Sequence, residues 1–94
     1  MHTLLDAATG TGAGAWQKVG APIPQRFQVE LATAGTATVL IQVSLDQVSA
    51  STYATINFTA PDAINVPCYV AYDFWRANVD AIAGGGAVTV LMGE

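Results

Sequence analysis

Few residues of this sequence could carry out acid–base, nucleophilic or metal chemistry. The single histidine is His2 and the single cysteine is Cys68. A general base must be held in position, and we expect His2 to be a solvated side chain on a mobile segment. A nucleophilic cysteine needs a base and a positively charged environment. We therefore expect Cys68 to be a small, buried apolar residue.

The carboxylates are scattered and match no ligand or catalytic motif. A calcium site usually shows closely spaced Asp residues, and a glycosidase needs two carboxylates across a cleft. The glycine-rich residues 9–14 and 84–86 lack the Gly-Lys-Ser/Thr of a phosphate loop. We predict that the protein is not an enzyme and has no catalytic residue, metal or cofactor; a small hydrolase remains an alternative. The acidic residues are Asp6, Glu30, Asp46, Asp62, Asp73, Asp80 and Glu94.

Composition excludes several classes of protein. The chain has 94 residues, of which 52% are apolar and 11% charged, with a net charge of −4. It is too apolar to be disordered and too acidic to be a nucleic-acid binder with a basic stripe. No apolar run approaches the length of a transmembrane helix. No signal peptide is recognisable, so we expect synthesis in a reducing cytoplasm, which suits one unpaired cysteine.

The low charge suggests that part of the surface is covered by a partner. A typical protein has roughly 25% charged residues, and alanine, glycine and threonine are abundant here. Such a chain can fill one modest core and still leave apolar residues on its surface.

Alternation of apolar and polar residues predicts about seven short antiparallel strands and no helix. We expect a small all-β, single-domain β-sandwich, Ig-like or jelly-roll-like, over residues 15–94. Residues 1–14 are expected to be a flexible N-terminal arm, and residues 84–86 a hairpin turn. Residues 20–25, with Pro22 and Pro24, are expected to be a turn or edge segment, and residues 61–67 an irregular one. The predicted strands are 15–19, 26–32, 37–46, 53–59, 68–82, which bends near Trp75, and 87–92.

Several side chains are candidates for protein contacts. Trp75 is expected in the core, whereas Trp16 has either a core or a surface role. Arg76 is expected to pair with Asp73, Asp80 or Glu30, or else to cross a subunit boundary. The full set of candidate interaction residues is Leu4, Leu5, Trp16, Arg26, Ile64 and Arg76.

The order of several short motifs resembles a known family. The chain is similar to the small β-rich virion structural proteins of tailed bacteriophages and prophages, of the head-decoration or cement type. The motifs are Gly14-Ala15-Trp16-Gln17, Phe27-Gln28-Val29, Ala37-Thr38-Val39, Ile41-Gln42-Val43-Ser44-Leu45-Asp46, Trp75-Arg76-Ala77-Asn78-Val79 and, after a glycine-rich turn, Ala87-Val88-Thr89-Val90.

The resemblance implies a non-enzymatic protein on the capsid surface of a virion. It would bind the major capsid protein and copies of itself, as a trimer or dimer, and stabilise the shell by bridging capsomers. Residues 1–14 would add a strand to a neighbour's sheet. No nucleic acid or membrane is expected as a partner. Two alternatives stay open, namely a tail or head–tail joining protein and a carbohydrate-binding or adhesin-like module. That module would use Trp16, Tyr53 or Tyr69 with Asn57 and Asn78.

Overall fold

The computed structural model of the chain describes residues 2–18, 26–70 and 72–93. These residues contain β-strands and no helix, which confirms the all-β prediction. The strands are β1 (His2–Ala8), β2 (Gly12–Ala13), β3 (Gln17–Lys18), β4 (Arg26–Ala32), β5 (Thr36–Ser44), β6 (Ser51–Phe58), β7 (Asp62–Pro67), β8 (Phe74–Ala83) and β9 (Ala87–Gly93).

The strands form two antiparallel sheets, as expected of a β-sandwich. The first sheet has the order β1-β9-β4-β7 and the second the order β2-β8-β5-β6. Because β3 pairs with β8 beside β2, the second sheet also has four strand positions. Only the β2–β3 and β5–β6 connections stay within one sheet. This strand order is that of a jelly roll, a double sheet of eight strands. Of the two sandwich types expected, Ig-like and jelly-roll-like, it is therefore the second that is observed.

The core lies between the sheets and comes from alternate residues of the central strands. Trp75 is fully buried in this core, as predicted. Its ring lies 5.0 Å from that of Phe27 and 5.4 Å from that of Tyr53, measured between centroids. The indole N–H donates to the carbonyl of Tyr72 at 3.2 Å, so the polar atom of Trp75 is satisfied. Other fully buried large residues are Val29, Leu31, Val39, Ile41, Val79, Val88, Val90 and Met92.

The start of the chain differs from the predicted flexible arm. β1 pairs with β9 of its own sheet, and Leu4 is only 6% exposed in the common core. After β1 the chain crosses to the second sheet, where β2 pairs with β8 and the amide of Gly14 donates to the carbonyl of Ala77 at 2.8 Å. The glycine content indicated an arm, but the edges of β8 and β9 supply backbone partners for it.

Two further predictions differ from the structure. The segment predicted to be irregular contains β7, an edge strand paired with β4. A proline is tolerated at an edge, and Pro67 is the last residue of this strand. The long strand predicted over 68–82 is wrong at its start, because β8 begins only at Phe74. The predicted turn at 20–25 lies outside the described residues.

The glycines at 84–86 form a corner between the sheets instead of a hairpin. β8 belongs to the second sheet and β9 to the first. This corner packs against the one between β4 and β5, where Gly35 has a φ of +93° and faces Gly84, which has a φ of +83°. The Thr33 hydroxyl also donates to the carbonyl of Gly85 at 3.0 Å. Two left-handed backbone positions without a Cβ let the corners approach this closely.

Candidate interaction surfaces

Three exposed apolar side chains lie at one end of the sandwich. Leu45 is 67% exposed, Val48 83% and Tyr69 79%. Leu45 and Val48 belong to the β5–β6 loop, and Tyr69 to the connection between β7 and β8. The two connections lie at the same end because Ser44, at the end of β5, pairs with Phe74, at the start of β8. We call Leu45, Val48 and Tyr69 the apolar tip.

Asp46 holds the β5–β6 loop in one conformation. Its carboxylate accepts hydrogen bonds from the amides of Ser49 at 2.9 Å and Val48 at 2.8 Å, and from the hydroxyl of Ser44 at 2.9 Å. These bonds favour the charged form and lower the pKa of Asp46 below its ordinary value of 3.8. The Ser44 hydroxyl also accepts from the amide of Gln47 at 3.0 Å. The loop therefore presents its apolar side chains from a fixed backbone.

Tyr53 fixes the other connection of the tip. Its hydroxyl donates to the carbonyl of Pro67 at 2.9 Å and accepts from the amide of Tyr69 at 3.1 Å. Its ring lies edge-on to Trp75, with an interplanar angle of 81°. The backbone at Tyr69 is thereby held by a residue whose ring packs against Trp75 of the core.

An open pocket of about 250 Å³ lies beside the apolar tip. Its lining combines the apolar side chains of Leu45 and Tyr72 with the polar side chains of Asp46, Ser49 and Ser51. One oxygen of the Asp46 carboxylate, Oδ1, accepts hydrogen bonds from its own loop and so shapes this side of the pocket.

A second surface is the outward face of the β8 sheet, around Arg76. The Arg76 Nε–H donates to the amide oxygen of Gln42 at 2.8 Å, and its guanidinium carbon lies 4.3 Å from the centroid of the Trp16 ring. The predicted carboxylate partner is wrong, because none of Asp73, Asp80 and Glu30 bonds to Arg76. β5 brings Gln42 opposite Arg76, and the neutral amide takes the place of the acid.

The sequence-predicted interaction residues do not form one surface. Leu4 is buried and Leu5 packs against the core. Ile64 is half-buried and packs against the core from the edge strand β7, whereas Arg26 is exposed at the start of β4. Trp16 is half-buried and, within the described residues, contacts Arg76. Their roles in protein contacts stay predictions.

Sequence reasoning named Tyr69 only as a candidate stacking ring and missed the exposure of Leu45 and Val48. Leu45 continues the alternation of Val39, Ile41 and Val43, which predicted that it faces inward. The strand ends at Ser44, however, because the side chains of Ser44 and Asp46 bond to the following amides and turn the chain. The Ser-x-Asp pattern was the available signal, since both residue types favour such turns.

The remaining chemistry-bearing residues are dispersed. Cys68 is buried, as expected, and burial raises the pKa of its thiol, which donates to the carbonyl of Val70 at 3.4 Å. His2 is half-buried at the start of β1, where it pairs in register with Met92, so its position differs from the predicted mobile segment. The described residues contain no cluster of three or more His, Cys, Asp or Glu side chains suited to a metal ion.

Comparison with known proteins adds no family. No protein-family model matches the chain, and no curated protein matches it at a significant level. The described residues contain no helical segment that could span a lipid bilayer.

Proposed function

We propose that this chain is a non-enzymatic structural protein of a bacteriophage virion, which binds the exterior of the capsid and bridges neighbouring capsomers. Its partners are the major capsid protein and copies of itself, as a trimer or dimer. The observation that carries the proposal is the apolar tip, in which Leu45, Val48 and Tyr69 are exposed on two fixed connections.

The energetics favour a partner over that tip. Covering a large apolar side chain contributes roughly 1.5–3 kcal/mol, and a fixed loop loses little conformational entropy when it binds. The Asp46 and Tyr53 hydrogen bonds fix both connections before any contact forms. Charged residues, which favour exposure of a surface to water, make up only 11% of the chain.

The fold supports the proposal only by analogy. Jelly rolls occur in viral capsid proteins, but also in lectins and cupins, so fold alone does not identify a function. Among these, the order of short motifs that resembles head-decoration proteins favours a viral function.

The test is attachment to particles that lack this protein. A double variant, Leu45→Ser with Val48→Ser, should lose at least tenfold in co-sedimentation with such particles. A matched control, Ala60→Ser with Ala63→Ser, changes two exposed positions outside the tip and should bind like the wild type. Equal binding of both double variants, or cryo-EM density of the native particle without this chain on the shell, would contradict the proposal.

A carbohydrate-binding module is the second candidate, and the exposure of Tyr69 favours it. The other two proposed stacking rings are engaged, since Trp16 lies under Arg76 and Tyr53 packs on Trp75. A glycan panel followed by the NMR signals of Tyr69 separates the candidates. A glycan-dependent shift without particle binding would favour the module. Density in the tail or at the head–tail junction would instead identify a joining protein.

A further inference from the structure

The surface around Arg76 has a guanidinium that is positioned but not neutralised. Arg76 is half-buried, with one hydrogen bond to Gln42 and one face of its group towards the Trp16 ring. Within the described residues no carboxylate bonds to it. No buried side-chain nitrogen or oxygen there lacks a partner, so the terminal NH₂ groups of Arg76 face solvent. A guanidinium has five N–H donors, and most of these remain available.

The strands around Arg76 concentrate positive charge. Trp75 points into the core, so its neighbour Arg76 points outward. Lys18 lies opposite Phe74, two residues away on β8. Lys18 and Arg76 are two of the three basic residues in a chain of net charge −4. The paired stretches 40–44 and 74–78 contain no acidic residue, whereas Asp73 directly precedes the second of them.

We propose that this surface is an interface for a partner protein and that a carboxylate side chain of the partner binds the terminal NH₂ groups of Arg76. Two parallel N–H groups match the two oxygens of a carboxylate, which makes such pairs short and directional. The Gln42 hydrogen bond and the Trp16 ring fix the plane of the guanidinium in advance, so binding orders few bonds of the side chain. Tryptophan and arginine are also the residue types most enriched at the energetic centres of interfaces.

The charge of the surface selects an acidic protein segment as the occupant. The chain as a whole repels acidic molecules, so steering towards an acid must come from this local patch. This inference does not rest on the proposed function, because it concerns a different face of the sandwich from the apolar tip. Its test uses the isolated chain.

The experiment is an NMR titration with hexaglutamate, blocked at both ends, and with hexaglutamine as the neutral control. Hexaglutamate should shift the Arg76 Nε–H and the Trp16 indole N–H signals. The Trp75 indole N–H is an internal reference that should stay in place, because it donates to Tyr72 in the core. Hexaglutamine should shift neither signal.

Matched variants separate a site from general electrostatics. Arg76→Gln should weaken hexaglutamate binding at least tenfold, and Arg76→Lys about threefold or more, because lysine cannot offer the paired donors. Arg26→Gln removes the same charge from an exposed position of the other sheet and should change affinity less than twofold. The backbone spectrum of each variant reports whether the fold is retained. Gln42→Ala keeps Arg76 and should weaken hexaglutamate binding by a smaller factor than Arg76→Gln does.

Four outcomes would overturn the proposal. The first is no shift with millimolar hexaglutamate, and the second is an equal loss in the Arg26→Gln and Arg76→Gln variants. The third is competition from another ligand: acetate that binds as strongly as hexaglutamate at the same carboxylate concentration, or a thymidine oligonucleotide that binds more tightly than hexaglutamate. The fourth is concentration-dependent shifts of the Trp16 signal without peptide, which would assign the surface to a second copy of this chain.

Discussion

Gly84 lies so close to Gly35 that a Cβ atom on Gly84 would stand 2.6 Å from the Cα of Gly35. Each glycine belongs to a different corner between the sheets, one connecting β8 to β9 and the other β4 to β5. The two sheets are therefore joined at this end by direct contact of their backbones. Any side chain inserted there must push the corners apart.

The first prediction concerns this contact. Gly84→Ala should reduce the free energy of unfolding by about 3 kcal/mol, because it adds a steric clash to the strain of a left-handed backbone. Gly85→Ala is the matched control, since Gly85 has nearly the same φ, +81°, but open space around its Cβ. It should cost about 1 kcal/mol. Urea unfolding measures both, and equal losses would show that the corners can separate freely.

The second prediction concerns the Tyr53 hydroxyl. Tyr53→Phe should cost about 1–2 kcal/mol in urea unfolding, because the substitution removes the hydrogen bonds to Pro67 and Tyr69. It should also speed amide exchange at Tyr69. Tyr72→Phe is the control, since its hydroxyl has no hydrogen bond within the described residues, and its change should stay within about 0.5 kcal/mol. A larger loss of unfolding free energy for Tyr72→Phe than for Tyr53→Phe would contradict the stabilising role of the Tyr53 hydroxyl.

The third prediction concerns pH. The pKa of Asp46 is lowered in the folded protein, so its stabilising contribution is present above the ordinary value of 3.8 and is lost as the pH falls through the folded value. The protection factors of the Val48 and Ser49 amides against hydrogen exchange should therefore fall below pH 3.8. Asp46→Asn keeps an oxygen acceptor but cannot titrate in this range, so its loop should not respond to pH. An equal acid response in both proteins would disprove the role of this carboxylate.

The fourth prediction concerns β1. Leu4→Ala should cost about 2–4 kcal/mol, because it leaves a cavity in the shared core. Leu5→Ala removes the same atoms from a half-buried position and should cost about 1 kcal/mol. Thermal unfolding compares the two variants. Similar small losses would mean that β1 contributes little to the sandwich and acts as the arm expected from the sequence.

The strands whose two faces differ in polarity were predictable from sequence. β4 buries Phe27, Val29 and Leu31 as its alternation indicates, and β9 buries Val88, Val90 and Met92. The local pattern sets which side faces the core, because side chains of a strand alternate between its faces.

Pairing between distant strands was not predictable in the same way. The glycines at 84–86 favour a sharp turn whether the next strand stays in the sheet or crosses to the other. Likewise β7 has only half-buried and exposed residues, as expected of an edge strand, so its weak pattern resembled a loop. The partner of Arg76 depended on which β5 residue lies opposite it, and register is a tertiary property.

The pairing of β1 with β9 constrains the order in which this protein can fold. The amide of Ala7 donates to the hydroxyl of Thr89, 82 positions further along the chain. During synthesis β1 emerges first, but its only neighbour in the first sheet, β9, emerges last. Before β9 is complete, β4 can pair only with β7 in that sheet. Distant pairings of this kind make folding slow, and exposed strand edges invite aggregation in the meantime. The edges of β1 and β4 that β9 covers in the folded protein therefore stay unpaired until β9 has been synthesised.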